Sequence, residues 1–419
     1  MLPTEWQLCG KLDDAGAMRP FYDWRSAKPA ARYSERFAFM RRKIPRKIER
    51  LSDRLFEMAE DPSLLFNDNS ERSQALFKMI KSKADGWRKP GRCMYRGCPN
   101  LSIANSHSIQ RTGPISQLLE KGHVLTPKFW NGGMQLKSVG ASDASTFPGF
   151  CTRHEAIFLP FERTSSISTD EHVELQTFRT ICREIRRKSY DVQQLEELLA
   201  YFNDRLESKA KEQTAAQKVE FKSITVQGGV FGKIQEMIDA GKKTVDDLEK
   251  LYDLHFDAID NKVRTRLSGF CIQSNLHFPV ALSGLIQHRT STANHTWIAG
   301  VIPQAGGSLI FLAGQPNDQH IINQYMNDVK ISVQLIGLVE AWMVLHTDHW
   351  FLKPSVWQAI PAHRQDQILT DILDVSKSGL SYEWSIFDDL RRAAMVVPAP
   401  VLLGPKEEEI FTIQRAKMN

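Results

Sequence analysis

Two short-spaced pairs of soft ligands constrain this chain more than any other feature. Cys93 and Cys98 flank four residues in RCMYRGCPN, and Cys151 and His154 flank two in PGFCTRHEAIF. Thiolate and imidazole are the donors of tetrahedral zinc, and a short-spaced pair lets one knuckle or helix start supply two at once. Gly97 and Pro99 suit a tight knuckle around the first pair. Gly149 precedes the second pair, and an apolar helical pattern (Ile157, Phe158) follows it. The spacing predicts a structural Zn2+ on Cys93, Cys98, Cys151 and His154, against the alternative of two unrelated pairs of buried thiols. Cys9, Cys182 and Cys271 lack partners at ligand spacing and are expected to be core or surface thiols. Six cysteines in 419 residues are too few for a disulfide-built scaffold.

Between the pairs lies SIANSHSIQR, a β-like segment that carries His107. A Cys–Cys knuckle, a strand with Ser106-His107-Ser108-Ile109, a loop, and Phe150-Cys151-Thr152-Arg153-His154-Glu155 at a helix start resemble the HNH, or ββα-metal, nuclease family. The resemblance covers roughly residues 91–162. It implies a treble-clef zinc module in which His107 is the general base that activates water. It also implies a catalytic Mg2+ or Mn2+ near Glu155 and Ser106, with His154 in place of a second structural cysteine. Ser106 stands where the family often has Asp, and Glu155 where it has His. No Asn precedes Phe150-Cys151 to orient the base, so Asn105 and Asn131 are candidates for that role. Asp143 is a further candidate metal ligand, and Glu162 a candidate structural acid that orients an imidazole. The stretch from His107 to Cys151 reads as a long loop hinged at Gly132-Gly133, suited to a substrate-reading insertion. The alternative for His107 is a hydrogen-bonded structural histidine in a zinc module that does not cut.

Charge is distributed unevenly. The chain carries 54 Lys and Arg against 49 Asp and Glu, a net of only +5. Residues 1–160 hold 26 and 16 of these, a net of +10, and the remainder is at −5. The segment RYSERFAFMRRKIPRKIER (32–50) has eight basic and two acidic residues, with Tyr33, Phe37 and Phe39 interleaved. Phosphate backbones favour such clusters through counterion release. Arg41, Arg42, Lys43, Arg46, Lys47 and Arg111 are therefore the candidate nucleic-acid contacts, although an isolated charge run is more often a solvated helix face.

The rest of the chain reads as α+β. Four regions are expected: a basic helical region at 1–85, the zinc module at 86–165, a helical linker at 166–262, and an α+β sensor or interaction domain at 263–419. Helical spacing marks 34–60, with Pro45 as a break, and a polar helix pair is expected around 189–191. Short β-branched and aromatic runs at 266–273, 279–289, 296–303 and 308–313, separated by Gly, Asn, Ser and Pro, predict a small antiparallel meander. Helical patterns at 320–327, 331–347 and 363–375 follow it. Strands followed by helices, without βαβ alternation, argue for α+β.

Other motifs rank lower. His346 and His349 could bind a metal at i, i+3, but next to Trp350, Phe351 and Trp357 they read first as packing and capping residues, and Trp342, Trp350, Trp357 and Trp384 are expected to be core aromatics. Gly228–Lys233 fails the phosphate-loop spacing, because Ile234 follows the lysine. The N-terminal residues are polar throughout, so no signal peptide is expected, and the most apolar stretch (333–345) is short and interrupted by Glu340. The expectation is a soluble, cytoplasmic, metal-dependent endonuclease on nucleic acid, DNA ahead of RNA, with no membrane partner. A protein partner and an oligomer are compatible with it. The resemblance weakly implies bacterial anti-phage defence. The alternative is a non-catalytic zinc module that binds nucleic acid or protein.

Overall fold

The computed structural model describes residues 11–12, 18–19, 46–75, 86–87, 89–130, 133–217, 228–261, 268–327, 329, 332–374, 377, 379 and 382–396. The expectations for Cys9, Arg41, Arg42, Lys43 and Asn131 fall outside these residues. Arg46 and Lys47 open helix α1 (Arg46–Glu60). The chain divides into two compact units, one of Gln7–Gly86 with Lys188–Lys243, the other chiefly of Trp87–Arg187 with Thr244–Asn419.

The larger unit carries the four candidate zinc ligands and His107. Its strands are β1 (Ser106–His107), β2 (His123–Trp130), β3 (Gly133–Gly140), β4 (Thr146–Phe147), β5 (Ser268–Ser274), β6 (Val280–Arg289), β7 (Asn294–Gln304), β8 (Gly307–Gly314) and β9 (Trp350–Leu352). Seven form one antiparallel sheet in the order β3-β2-β9-β6-β7-β8-β5, and β1 pairs with β4 separately. The expected meander is present as β5 to β8. It is not small, however, because β2 and β3 join the sheet through β9.

That hairpin corrects the loop expectation for the stretch after His107. Val124 and Leu125 face opposite cores, so both faces of the strand are apolar at its start, and the eight-residue register from His123↔Gly140 to Trp130↔Gly133 is complete. Pro127 obscures the pattern because it donates no ladder bond. It is tolerated in β2 because three-residue β9 meets that strand only at Leu125.

Two cores lie on the two sides of this sheet. On one side Leu282, Ile286, Trp297, Val301 and Ile310 meet Ile336, Val339 and Trp342 from α7 (Ser332–Ala341) and its continuation Trp342–His346. Helices α6 (Gln319–Met326), α8 (Pro354–Ala359), α9 (Ala362–Asp371) and α10 (Asp388–Val396) complete that layer. Trp342 and Trp350 are core residues, as expected, whereas Trp357 is half-buried and Trp384 is exposed. Glu340, the interruption in the apolar run, is buried and accepts from the backbone N–H of Ile386 and Phe387 at 2.8 and 3.0 Å. On the other side Val124, Leu285, Ile298 and Phe311 share a core with Ile109, Phe147, Phe150 and Phe158 of the Cys–His segment.

Helix α2 (Thr152–Glu155) runs through a 3-10 turn into α3 (Leu159–Thr164). Two long helices, α4 (Asp170–Gln217) and α5 (Gly229–Asn261), follow. The expected break near 190 is absent and α4 is continuous. Serine costs a helix interior only a few tenths of a kcal/mol, and Val192, Leu195 and Leu198 continue the apolar stripe beyond it. In the smaller unit that stripe, with Phe202 and Leu206, packs with Leu55, Met58 and Ala59 of α1 and with Phe231, Ile234 and Ile238. Among the described residues, no helix is long and apolar enough to cross a membrane.

Candidate metal centre and the histidine beside it

The knuckle forms for local reasons. Arg92 and Leu101 bridge antiparallel, and Cys93 N–H donates to Asn100 O at 2.9 Å. Gly97 turns the tip with φ +76°, a conformation that a side chain would strain. Two backbone bonds then join the knuckle to the second pair: Met94 N–H to Gly149 O at 2.9 Å and Ile103 N–H to Phe150 O at 2.8 Å. Cys151 caps α2 in extended conformation, and its carbonyl accepts from the N–H groups of His154 and Glu155. This places one thiol and one imidazole on the same short turn.

All four ligand atoms lie within 4.8 Å of one another. Nδ1 of His154 stands 3.4 Å from both Cys93 Sγ and Cys151 Sγ, and the thiols of Cys98 and Cys151 are 3.9 Å apart. Bond lengths of about 2.3 Å to sulfur and 2.0–2.1 Å to nitrogen give tetrahedral edges of about 3.8 Å for S–S and 3.6 Å for S–N. These three of the six edges lie close to those values, and the donor set of three thiols and one imidazole fits a zinc ion. Burial pushes the Cys93 thiol up to about 11. Burial opposes ionisation of Cys151 as well, but bonds from the His154 N–H and the neighbouring thiols outweigh it and lower its pKa. Burial and then the Arg153 charge lower His154, leaving the imidazole neutral as a ligand requires.

The C-terminal part of α5 clamps the knuckle. Tyr95 stacks on the His154 ring at 4.1 Å and donates its hydroxyl to Asp260 at 2.8 Å. Tyr252 donates to Met94 O at 2.6 Å, and the Arg96 guanidinium pairs with Asp253 and Asp257 above the Phe256 ring. Such an outer layer fixes a ligand's ring orientation. No ligand-spacing rule identifies it, since its members lie more than 150 residues away.

His107 sits on β1, opposite Thr146 of β4. Its Nδ1 is 2.9 Å from Ala144 O and 3.2 Å from Ser145 Oγ. A carbonyl can only accept, so Nδ1 carries the proton and Nε2 presents a lone pair. Burial lowers the pKa of this imidazole; the Ala144 bond opposes the shift, and the charges of Arg179 and Arg111 reinforce it. The His107 ring is thus held by a backbone carbonyl and a serine hydroxyl. Ser145 adopts φ +61°, held there because its hydroxyl donates to Ile109 O at 2.8 Å and its carbonyl accepts from Ser108 N–H at 2.8 Å.

Glu155 and Ser106 come together as the sequence suggested. Ser106 Oγ donates to Glu155 Oε2 at 2.8 Å and accepts from Phe150 N–H at 3.1 Å. The other carboxylate oxygen of Glu155 meets a group that the sequence did not announce. Arg179 on α4 places its guanidinium 2.5 Å from Glu155 and 2.7 Å from Glu162, over the Phe158 ring at 4.2 Å, with its side chain 0% exposed. Glu162 therefore pairs with an arginine rather than orienting an imidazole. The only hint was that Arg179, Arg183 and Arg187 recur every fourth residue between apolar positions.

A hard divalent ion needs several convergent oxygens. Both Glu155 oxygens and one of Glu162 are engaged here. Among the described residues, the Cys93–Cys98–Cys151–His154 group is the one set of three or more such side chains placed to hold an ion. Asp143 lies in a turn outside it. Arg111 is exposed, and its charge reaches His107. His346 and His349 do not form a metal pair: His346 Nε2 lies 3.4 Å from Gly379 O, and His349 Nε2 2.6 Å from Ser108 Oγ.

Comparison with known protein families, with curated proteins and with solved structures gives no match.

Proposed function

We propose that the chain is an HNH-like endonuclease that hydrolyses phosphodiester bonds in nucleic acid, DNA ahead of RNA, with His107 as general base. The observation that carries this reading is the 2.9 Å contact of His107 Nδ1 with Ala144 O. It assigns the proton to Nδ1 and the lone pair of a base to Nε2, in the same segment as the Cys93–Cys98–Cys151–His154 cluster. The order of elements supports it too: two short antiparallel strands and then a helix whose start supplies Cys151 and His154.

On this reading Nε2 takes a proton from water and the water oxygen bonds to phosphorus. The bond to the departing sugar oxygen breaks, and that oxygen receives the proton from the imidazolium. Arg111 supplies positive charge to the phosphate. Cys93, Cys98, Cys151 and His154 would hold Zn2+, which when bound fixes the knuckle against α2 and neutralises the thiolates. The Mg2+ or Mn2+ implied by the resemblance does not fit as readily, because Arg179 already neutralises Glu155 and Glu162.

That arginine favours the second reading, a zinc module that binds nucleic acid or protein without cutting. Supercoiled plasmid separates the two. Wild type should nick it, and His107→Ala should lower the rate about 10²–10⁴-fold, the usual worth of a general base, with zinc content unchanged. Failure of wild type to cut DNA or RNA with any divalent ion present would favour the binding module.

A further inference from the structure

The β2–β3 hairpin lies in the chain between the two strands of the His107 site, and it carries a surface that the proposed chemistry does not use. We infer that this surface binds single-stranded nucleic acid, a base stacking on Trp130 and the flanking phosphates meeting Lys128 and Lys137. The inference deepens the endonuclease reading by naming its substrate class.

Four observations carry it. First, no Asp or Glu occurs from Lys121 to Ser142, while Lys121, Lys128 and Lys137 do. Second, Trp130 is 56% exposed at the end of β2, and Lys137 Nζ lies 5.5 Å from its ring centroid. Third, strand alternation and register place Lys128, Trp130, Gln135 and Lys137 on one face. Toward the base of the hairpin that face continues into Val124 and Val139, which pack into the core of the His107 segment. The opposite face (Leu125, Phe129, Met134, Leu136) packs into the other core. Trp130 thus stands on the side of the sheet that holds the His107 segment. Fourth, the hairpin connects directly to the base. The chain leaves β3 at Gly140 and four residues later supplies the Ala144 carbonyl to His107.

An aromatic platform beside lysines is the means by which proteins hold single strands, since every base has a π face and every phosphate a charge. A paired duplex offers no free face to Trp130.

The test uses the full chain carrying His107→Ala, so that a labelled 20-nucleotide single strand survives, with fluorescence anisotropy as the readout. Trp130→Ala should weaken binding about tenfold and Trp130→Phe by much less. Lys128→Gln with Lys137→Gln should flatten the salt dependence by about 1.4, at 0.7 per phosphate contact. Equal affinity of Trp130→Ala and its parent, or tighter binding of duplex than of single strand, overturns the inference, as does no binding by the parent. Single-strand binding lost in Trp130→Ala, in a chain whose wild type never cuts, supports the surface and sinks the endonuclease reading. Cutting by wild type with affinity indifferent to Trp130 does the reverse.

Discussion

Two clusters of ionisable groups adjoin at the start of α2, and they solve the same electrostatic problem in opposite ways. Cys93, Cys98, Cys151 and His154 converge without a cationic side chain among them. Glu155 and Glu162, one residue and eight residues further on, are bridged by the buried guanidinium of Arg179. The first group has donors and no counter-ion, an arrangement that an imported cation completes. The second carries its cation as part of the chain. Adjacent ligand-type residues are therefore not equivalent metal sites, and what decides between them is whether the protein already satisfies the lone pairs.

The strongest way to break the comparison is to attack the first cluster. Structural zinc contributes about 10–16 kcal/mol of apparent binding free energy in small zinc domains. Elemental analysis should find about one zinc per chain, and Cys93→Ser should lose it together with the cooperative melting of the larger unit. Zinc content unaffected by Cys93→Ser would remove the tetrahedral assignment.

Arg179 tests the second cluster. Arg179→Met leaves Glu155 and Glu162 without their cation in a largely buried site, a loss of about 3–5 kcal/mol readable by urea denaturation. Manganese EPR gives the sharper readout. Wild type should bind no Mn2+ at Glu155, whereas Arg179→Met should acquire a site that Glu155→Gln abolishes. A wild-type Mn2+ site lost in Glu155→Gln would show that the arginine yields to metal.

The pH dependence of His107 comes next. Its pKa is lowered from the usual 6.5, so it is neutral at pH 7 and the cutting rate should fall only as pH drops below that value. The sign for stability is the same. Below pH 6.5 the unfolded imidazole takes a proton that the folded one resists, so stability is lost as pH falls. Histidine NMR on the wild type, with His107→Gln for assignment, measures the shift directly. A pKa above 6.5 would contradict the lone-pair assignment.

The smallest expected effect is at Ser145. Ser145→Gly trades a left-handed strain of about 1–2 kcal/mol for two hydrogen bonds worth about 1 kcal/mol each. Stability should change little while the His107 ring loosens, lowering kcat more than it raises KM.

Local pattern accounts for what the sequence revealed. The knuckle was legible because Gly97 and the cysteine spacing are read within eight residues. The meander was legible because strands β5 to β8 alternate and are separated by turn residues. The hairpin was not legible, since Pro127 and the glycines at 132 and 133 imitate a loop and its pairing partner β9 has only three residues. Arg179, Ala144 and the Tyr95–Arg96 clamp were invisible for a different reason. Each acts on the site across 24 to 165 positions, and no periodicity encodes that. The most consequential misreading concerned Glu155, because a carboxylate at a ligand position does not disclose that a guanidinium 24 residues on has already occupied it.

The placement of the hairpin has a consequence for the order in which the protein can be made. Leu125 pairs with Leu352, and Ser108, next to His107, bonds to the ring of His349. A ribosome adding roughly 5–20 residues per second takes about 10–45 s to travel from the one strand to the other. Once residue 154 has been added, the nascent chain holds all four candidate zinc ligands and His107, while β2 waits unpaired on one side and Ser108 lacks its partner. A chain stopped before residue 349 would thus carry every residue of the proposed chemistry without the framework that aligns them. The proposed chemistry would therefore have its full framework only after synthesis of the C-terminal third.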